Sequence, residues 1–125
     1  MTFKILVVDD EPEFRHILAK VLTEMGNEVS TAGSGRQALA KIRENRPDIL
    51  FLDIKMPQMS GLECLRRLSK LRRKLVVVVM TGYADIKSAR EAMRLGADEF
   101  ISKPFDIDDL KRLVNELVVE LVRDV

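Results

Sequence analysis

The sequence predicts a doubly wound α/β domain in which a parallel five-stranded sheet lies between two layers of helices. Three observations predict it. Short apolar runs recur along the chain, stretches of helical period separate them, and two of the runs, Ile49–Leu52 and Leu75–Met80, are continuous rather than alternating. Continuous runs are how strands buried on both faces read, and covering both faces takes helices. At 125 residues the chain fits one domain, 1–125, with no room for a second core.

The elements follow in order. Ile5–Val8 is the first strand. Pro12 suits a first helical position, and Phe14, Ile17, Leu18, Val21, Leu22 and Met25 then form one apolar stripe stopped by Gly26. Glu28–Ala32, anchored by Val29, is a weaker second strand. Ser34 can cap the second helix, which carries Ala38, Leu39 and Ile42 inward and must end before Pro47. After the strand Ile49–Leu52, Ser60 can cap a third helix with Leu62, Leu65 and Leu68 inward. After Leu75–Met80, Asp85 can cap a fourth, with Ile86, Ala89, Met93 and, less centrally, Ala92 inward, and Gly96 ends it. Phe100–Ile101 is the last strand, and Asp106 opens the last helix. Alternation of this kind implies right-handed crossovers and parallel strands.

Composition narrows the function classes. With 21 basic against 20 acidic residues, the domain as a whole is not built for non-specific nucleic-acid or anionic-membrane binding. The run Arg66, Arg67, Lys70, Arg72, Arg73, Lys74 is a local exception, read as a solvated helix end rather than a phosphate patch. Cys64 stands alone, so a reducing compartment is expected. No apolar stretch approaches the ~20 residues of a membrane helix, and the run after Lys4 is too short for a signal-peptide core. A soluble, cytoplasmic protein is the expectation.

In an open α/β sheet, ligands gather at the carboxyl ends of the strands. Here the first strand ends in Asp9, Asp10 and Glu11, the third in Asp53, the fourth in Thr81 and Gly82, and the fifth in Lys103 before Pro104. Taken singly, Asp10 could cap the first helix, Thr81 could end a strand and Lys103 could be a surface lysine. Jointly they should meet on one rim. Clustered carboxylates raise one another's pKa unless a cation sits among them. Oxygen donors without His or thiolate favour a hard ion, and Mg²⁺ fits. A carboxylate such as Asp53 is a competent nucleophile for making an acyl phosphate, with Lys103 and Thr81 able to hold phosphoryl oxygens.

The chain resembles a response-regulator receiver domain, the phosphoacceptor half of two-component signalling. The resemblance rests on Ile5-Leu6-Val7-Val8-Asp9-Asp10-Glu11, on Asp53-Ile54-Lys55-Met56-Pro57-Gln58-Met59-Ser60-Gly61, on Met80-Thr81-Gly82-Tyr83-Ala84-Asp85 and on Lys103-Pro104-Phe105. It implies a flavodoxin-like sheet in the order 2-1-3-4-5. It also implies phosphorylation of Asp53 by a phosphohistidine on a sensor histidine kinase or phosphotransfer protein. The metal implied is Mg²⁺, with Asp10 as a direct ligand, Asp9 acting mainly through water, Asp53 itself, and the backbone carbonyl of Lys55. Thr81 and Lys103 match the phosphoryl-binding pair. Phe100 takes the place of a switch aromatic, often a tyrosine, the alternative being a plain core aromatic. By the same resemblance the face made by the fourth helix, fifth strand and fifth helix carries the signal and can pair two copies. Lys87, Arg90 and Arg94 opposite Asp106, Asp108 and Asp109 support pairing through charge.

Three further expectations come from the residues. His16 lies off the apolar stripe and is a surface residue, not a phosphodonor. Lys55 and Tyr83 should flank the entrance for water and tune the lifetime of an acyl phosphate. On the last helix, Ile107, Leu110, Leu113, Val114, Leu117 and Val118 make a stripe, while Val119 and Val122 fall outside it. That excess suggests a self-association surface or continuation into an output domain beyond Val125, against a frayed apolar tail. The chain is expected to catalyse only its own phosphorylation and dephosphorylation. A phosphatase that works through an aspartyl phosphate usually has a second acid two residues after the nucleophile, and that position is Lys55. A receiver-like binding module without phosphorylation is opposed by the complete set Asp9, Asp10, Asp53, Thr81 and Lys103.

Overall fold

Strands and helices alternate along the whole chain, as the apolar runs predict. The computed structural model describes residues 2–56, 58–70, 75–82 and 86–123. In order they form β1 (Lys4–Val8), α1 (Pro12–Glu24), β2 (Glu28–Ala32), α2 (Gly35–Asn45), β3 (Ile49–Asp53), α3 (Gly61–Leu68), β4 (Val76–Gly82), α4 (Ile86–Arg94), β5 (Glu99–Lys103) and α5 (Ile107–Arg123). The strands pair in parallel in the order β2-β1-β3-β4-β5.

The helix boundaries have local causes. Pro12 occupies the first turn of α1, where its missing N–H costs nothing. Glu11, not Asp10, is the residue at the helix entry, so Asp10 is left free of a capping role. Ser34 and Ser60 accept the backbone N–H groups of Gln37 and Glu63, and Asp106 accepts that of Asp109, so three of the four expected helix-opening residues act as caps. Asp85 lies outside the described residues. Gly26 and Gly96 take φ of 96° and 105° just beyond α1 and α4, a region open to glycine.

Two cores flank the sheet, sorted by the period of two along each strand. Leu6, Val8, Leu50, Leu52, Val77 and Val79 face α2, α3 and α4, packing with Ala38, Ile42, Cys64, Leu65, Leu68 and Ala92. Ile5, Val7, Ile49, Phe51, Val78 and Met80 face α1 and α5, packing with Leu18, Leu22, Leu110, Val114 and Leu117. Helices α1 and α2 therefore cover opposite faces of the sheet. The crevice between β1 and β3 at their carboxyl ends is the topological switch point of the fold.

Three helix positions differ from the expected stripes. Ile17 is 61% exposed, because it sits roughly 80° of helical rotation from the centre of the α1 stripe. On α4 the buried residues are Ala89 and Ala92, while Met93 is exposed; the helix presents its smallest side chains inward. The side chain of Ile86 lies outside the description. Ile107 is 49% exposed, since α5 meets the sheet only from Leu110 onward, whereas Val119 and Val122 are exposed as their off-stripe positions predict. Arg66, Arg67, Lys70 and His16 are exposed as expected, and Arg72, Arg73 and Lys74 lie outside the described residues.

The α1 difference is directly testable by equilibrium unfolding. Leu18→Ala should cost about 2–5 kcal/mol through lost burial and a cavity. Ile17→Ala should stay within about 0.5–1 kcal/mol.

Candidate functional site at the carboxyl edge of the sheet

At the switch point the apolar strands hand over to carboxylates. Asp9 follows β1 and is fully buried, Asp53 ends β3 and is 5% exposed, and Asp10 is more accessible. One carboxylate oxygen from each of the three lies within 4.8 Å of the others. Asp9 and Asp53 are held alike. Asp9 Oδ1 accepts the Glu11 N–H at 2.9 Å, and Asp53 Oδ1 accepts the Lys55 N–H at 3.2 Å, each a turn two residues long. The second oxygen of each faces Lys103 Nζ, at 2.6 Å from Asp9 and 3.5 Å from Asp53. Glu11 Oε1 stands 4.0 Å from the same amine.

The register explains this convergence. Asp9, Asp53 and Lys103 continue the alternate positions of Ile5 and Val7, of Ile49 and Phe51, and of Ile101, so they share the α1–α5 side of the sheet. Thr81 is buried at the end of β4, one residue past Met80, which is in register with Asp53. It carries the other parity, that of Val77 and Val79, so the hydroxyl and the amine come from opposite layers. The sequence-predicted residues are thus brought to one rim. Lys55 adjoins Asp53 through its backbone, with its side chain exposed. Phe100 is displaced from the rim, in register with Val79 and 47% exposed, so it is not a core aromatic. Tyr83 lies outside the described residues.

The electrostatics are lopsided. Burial pushes the Asp53 carboxyl up to about 6, with the charges of Asp9 and Asp10 adding to the rise and Lys103 and the Lys55 N–H opposing it. For Lys103, burial alone would favour loss of its proton, but the Asp9 hydrogen bond and the charges of Asp53, Asp9 and Glu11 outweigh it and hold the amine above its ordinary value. Three carboxylates and one ammonium leave a net negative, all-oxygen cluster, the donor chemistry that a hard divalent cation such as Mg²⁺ matches. By contrast the buried thiol of Cys64 is pushed up to about 11 by burial, only partly opposed by Arg67, and is chemically quiet.

Four contributors were given no role at the site by sequence reasoning. The ring of Phe14 lies 4.2 Å from Lys103 Nζ, and Phe105 meets that ring edge to face at 5.5 Å and 81°. Arg15 Nη1 donates to the Asp9 carbonyl at 2.8 Å. Gly61 starts α3 directly behind the site. A Cβ there would stand 2.3 Å from the Asp53 carbonyl oxygen and 2.6 Å from the Ile54 Cα, while its N–H donates to Ile54 at 2.8 Å. Of the four, Gly61, a glycine immediately after a capping serine, and Phe105, in the run Lys103-Pro104-Phe105, had a usable signal.

A family model of the response regulator receiver domain matches residues 5–115. The chain belongs to this family. The receiver domain is 37% identical over 116 residues to sporulation initiation phosphotransferase F of Bacillus subtilis (strain 168), covering 93% of this chain and 94% of that protein. It is 38% identical over 111 residues to regulatory protein AtoC of Escherichia coli (strain K12), covering 89% of this chain but 24% of that protein. The crystal structure of a CheY-like receiver domain protein from Methanospirillum hungatei JF-1 superposes with a TM-score of 0.93 at 31% identity, over 100% of both chains. The chain therefore spans about a quarter of the length of several curated relatives it matches. A receiver domain serves phosphorylation-controlled signalling as a phosphoacceptor switch, and in relatives of the longer kind it is joined to an output portion. Among the described residues no helix is long and apolar enough to cross a membrane.

Two outcomes follow from the geometry. Because the folded-state pKa of Asp53 lies above its ordinary value of 3.8, ionising it disfavours the fold: its contribution is full at low pH and is lost as pH rises from about 4 to about 6. In metal-free protein, Asp53→Asn should match the parent near pH 4 and exceed it by up to about 3 kcal/mol at pH 7. A gap that does not change with pH in denaturant titrations would refute the raised carboxyl. Gly61→Ala should lose about 1–3 kcal/mol through forced backbone displacement, although alanine is the better helix former. Equal or greater stability in thermal unfolding would contradict the close approach.

Proposed function

We propose that this receiver domain accepts a phosphoryl group on Asp53 from a phosphohistidine of a sensor histidine kinase or phosphotransfer protein, in a Mg²⁺-dependent reaction. The reading is carried by one observation: Asp53 is buried beside two further carboxylates, with a single ammonium, Lys103, 3.5 Å from its oxygen. In the transfer, one Asp53 oxygen bonds to phosphorus as the bond from phosphorus to the donor imidazole nitrogen breaks, and the electron pair leaves with that nitrogen. A magnesium ion held by Asp9, Asp10, Asp53 and the Lys55 carbonyl would neutralise charge on the transferring group.

The chain's own residues supply the rest. Burial of Asp53 removes competing solvent from the nucleophile. Lys103 stands within reach of a phosphoryl oxygen on Asp53, and Thr81 arrives from the next strand to hold another. Reversal to the resting state is attack of water on phosphorus, which releases phosphate and restores the carboxylate. Lys55 and Tyr83 tune access to that water.

The output is the α4-β5-α5 face. Thr81 and Val79 share one parity on β4, and their register partners Ser102 and Phe100 share one on β5. A shift of Thr81 toward a phosphoryl group is therefore passed along two rungs to the half-exposed Phe100. Phenylalanine can change rotamer there, without the hydrogen bond that a tyrosine would add. Exposed Lys87, Arg90 and Arg94 on α4 and Asp106, Asp108 and Asp109 at α5 suit pairing of two copies or an output domain. Lys55 at the position of a phosphatase's second acid removes the general acid that turnover on other substrates needs.

Incubation with Mg²⁺ and acetyl phosphate, followed by intact-mass measurement, tests the proposal. One phosphoryl adduct is expected on the parent and none on Asp53→Asn. Repeated release of phosphate from a generic phosphoester would select the phosphatase instead, and an unmodified parent would select a binding module.

A further inference from the structure

Lys103 is a long, flexible side chain, yet the proposed chemistry needs its ammonium beside Asp53. What holds it now is mostly charge. Asp9 is 2.6 Å away, Asp53 3.5 Å and Glu11 4.0 Å. Asp9 and Asp53 are the groups that a divalent cation and a phosphoryl group would engage, so these anchors weaken when the site is used. One anchor is of another kind. The face of Phe14 lies 4.2 Å from the ammonium, and the electron-rich face of a ring attracts a cation without competing for a metal. Phe105, two residues after Lys103 itself, braces that ring at 5.5 Å with an interplanar angle of 81°.

We propose that Phe14 is a positioning residue for phosphoryl transfer: its ring, braced by Phe105, keeps the Lys103 ammonium within reach of Asp53 while Asp9 and Asp53 take other partners. The inference rests on Asp53 being the phosphoacceptor. Core packing alone does not account for the arrangement. Phe14 is only half-buried, at the margin of the α1–α5 core, and a branched aliphatic residue would fill the same margin of the helix. Only an aromatic face serves the ammonium.

The test separates ring from bulk. Phe14→Leu keeps the apolar contact and removes the face, whereas Phe14→Tyr keeps both. In metal-free protein, NMR of the parent should show the Lys103 ε-methylene protons shifted upfield by the ring. The shift should persist in Phe14→Tyr and vanish in Phe14→Leu. With Mg²⁺ and acetyl phosphate, Phe14→Leu should phosphorylate about three- to tenfold more slowly, the span of a partly shielded cation–π contact. Phe14→Tyr should stay within about twofold of the parent.

A leucine variant as fast as the parent would overturn the proposal, as would a tyrosine variant as slow as the leucine one. So would absence of the upfield shift in the parent. If the parent shows the shift but no adduct on Asp53, it is the phosphoacceptor reading that fails, and the role of Phe14 in transfer falls with it.

Discussion

Two buried carboxylates at the ends of adjacent strands repel each other, and the organisation of this domain follows from managing that repulsion. Asp9 and Asp53 sit where β1 and β3 leave the sheet, in surroundings that screen charge poorly. Backbone N–H groups two residues on satisfy one oxygen of each, and Lys103 serves the other oxygens. Among the described residues no buried side-chain polar atom lacks a partner, so the hydrogen bonding is complete even though the charge is not. The remaining negative charge is the feature that ties fold to chemistry. A site satisfied in hydrogen bonds but short of positive charge is rigid and still receptive to a cation.

This receptiveness depends on topology rather than on any single strong contact. The reversal of winding at β1 sends α1 and α2 to opposite sides and opens the crevice. Strand parity then decides which side chains enter it, because Asp9, Asp53 and Lys103 all extend the α1–α5 side. A one-residue slip of any of these strands would turn its contributor to the other face of the sheet, and the two continuous cores oppose such a slip. Carboxylates at the other end of the sheet behave quite differently. Asp48 and Asp98 accept the backbone N–H groups of Lys4 and Val77, each at 2.8 Å, and serve only to close strand starts.

Much of this could be read from the chain because periodicity and capping are local. Short apolar runs placed β1, β3 and β4, and Ser34, Ser60 and Asp106 announced their helices through hydrogen bonds spanning three residues. The misread positions are those at which three-dimensional packing chooses between equivalent local patterns. Ile17 and Leu18 both fit a stripe, but Ile17 lies at its edge, and only packing of α1 on the sheet shows how wide a stripe is covered. On α4 the buried positions are Ala89 and Ala92, and Met93, which also fits the stripe, is left exposed. Phe14 was legible as apolar but not as the partner of Lys103, since 89 residues of chain separate a ring on α1 from an amine on β5. Sequence spacing carries no record of such a meeting.

The surroundings of the rim are also unequal in how far they can yield. Behind Asp53 the backbone is wedged against α3, so close that even a methyl group at Gly61 would overlap the Asp53 carbonyl. On the far side Gly82 is exposed, and among the described residues a methyl group there would meet nothing within 4 Å. New bulk and charge at Asp53 therefore cannot be absorbed by moving β3 backward, where close-packed atoms resist compression. The strand next to β3 on the other side is β4, where Thr81 and Gly82 pair with Ser102 and Lys103 of β5. Steric resistance behind Asp53 gives the proposed signal its direction, from the acidic cluster through β4 to the edge strand that carries Phe100.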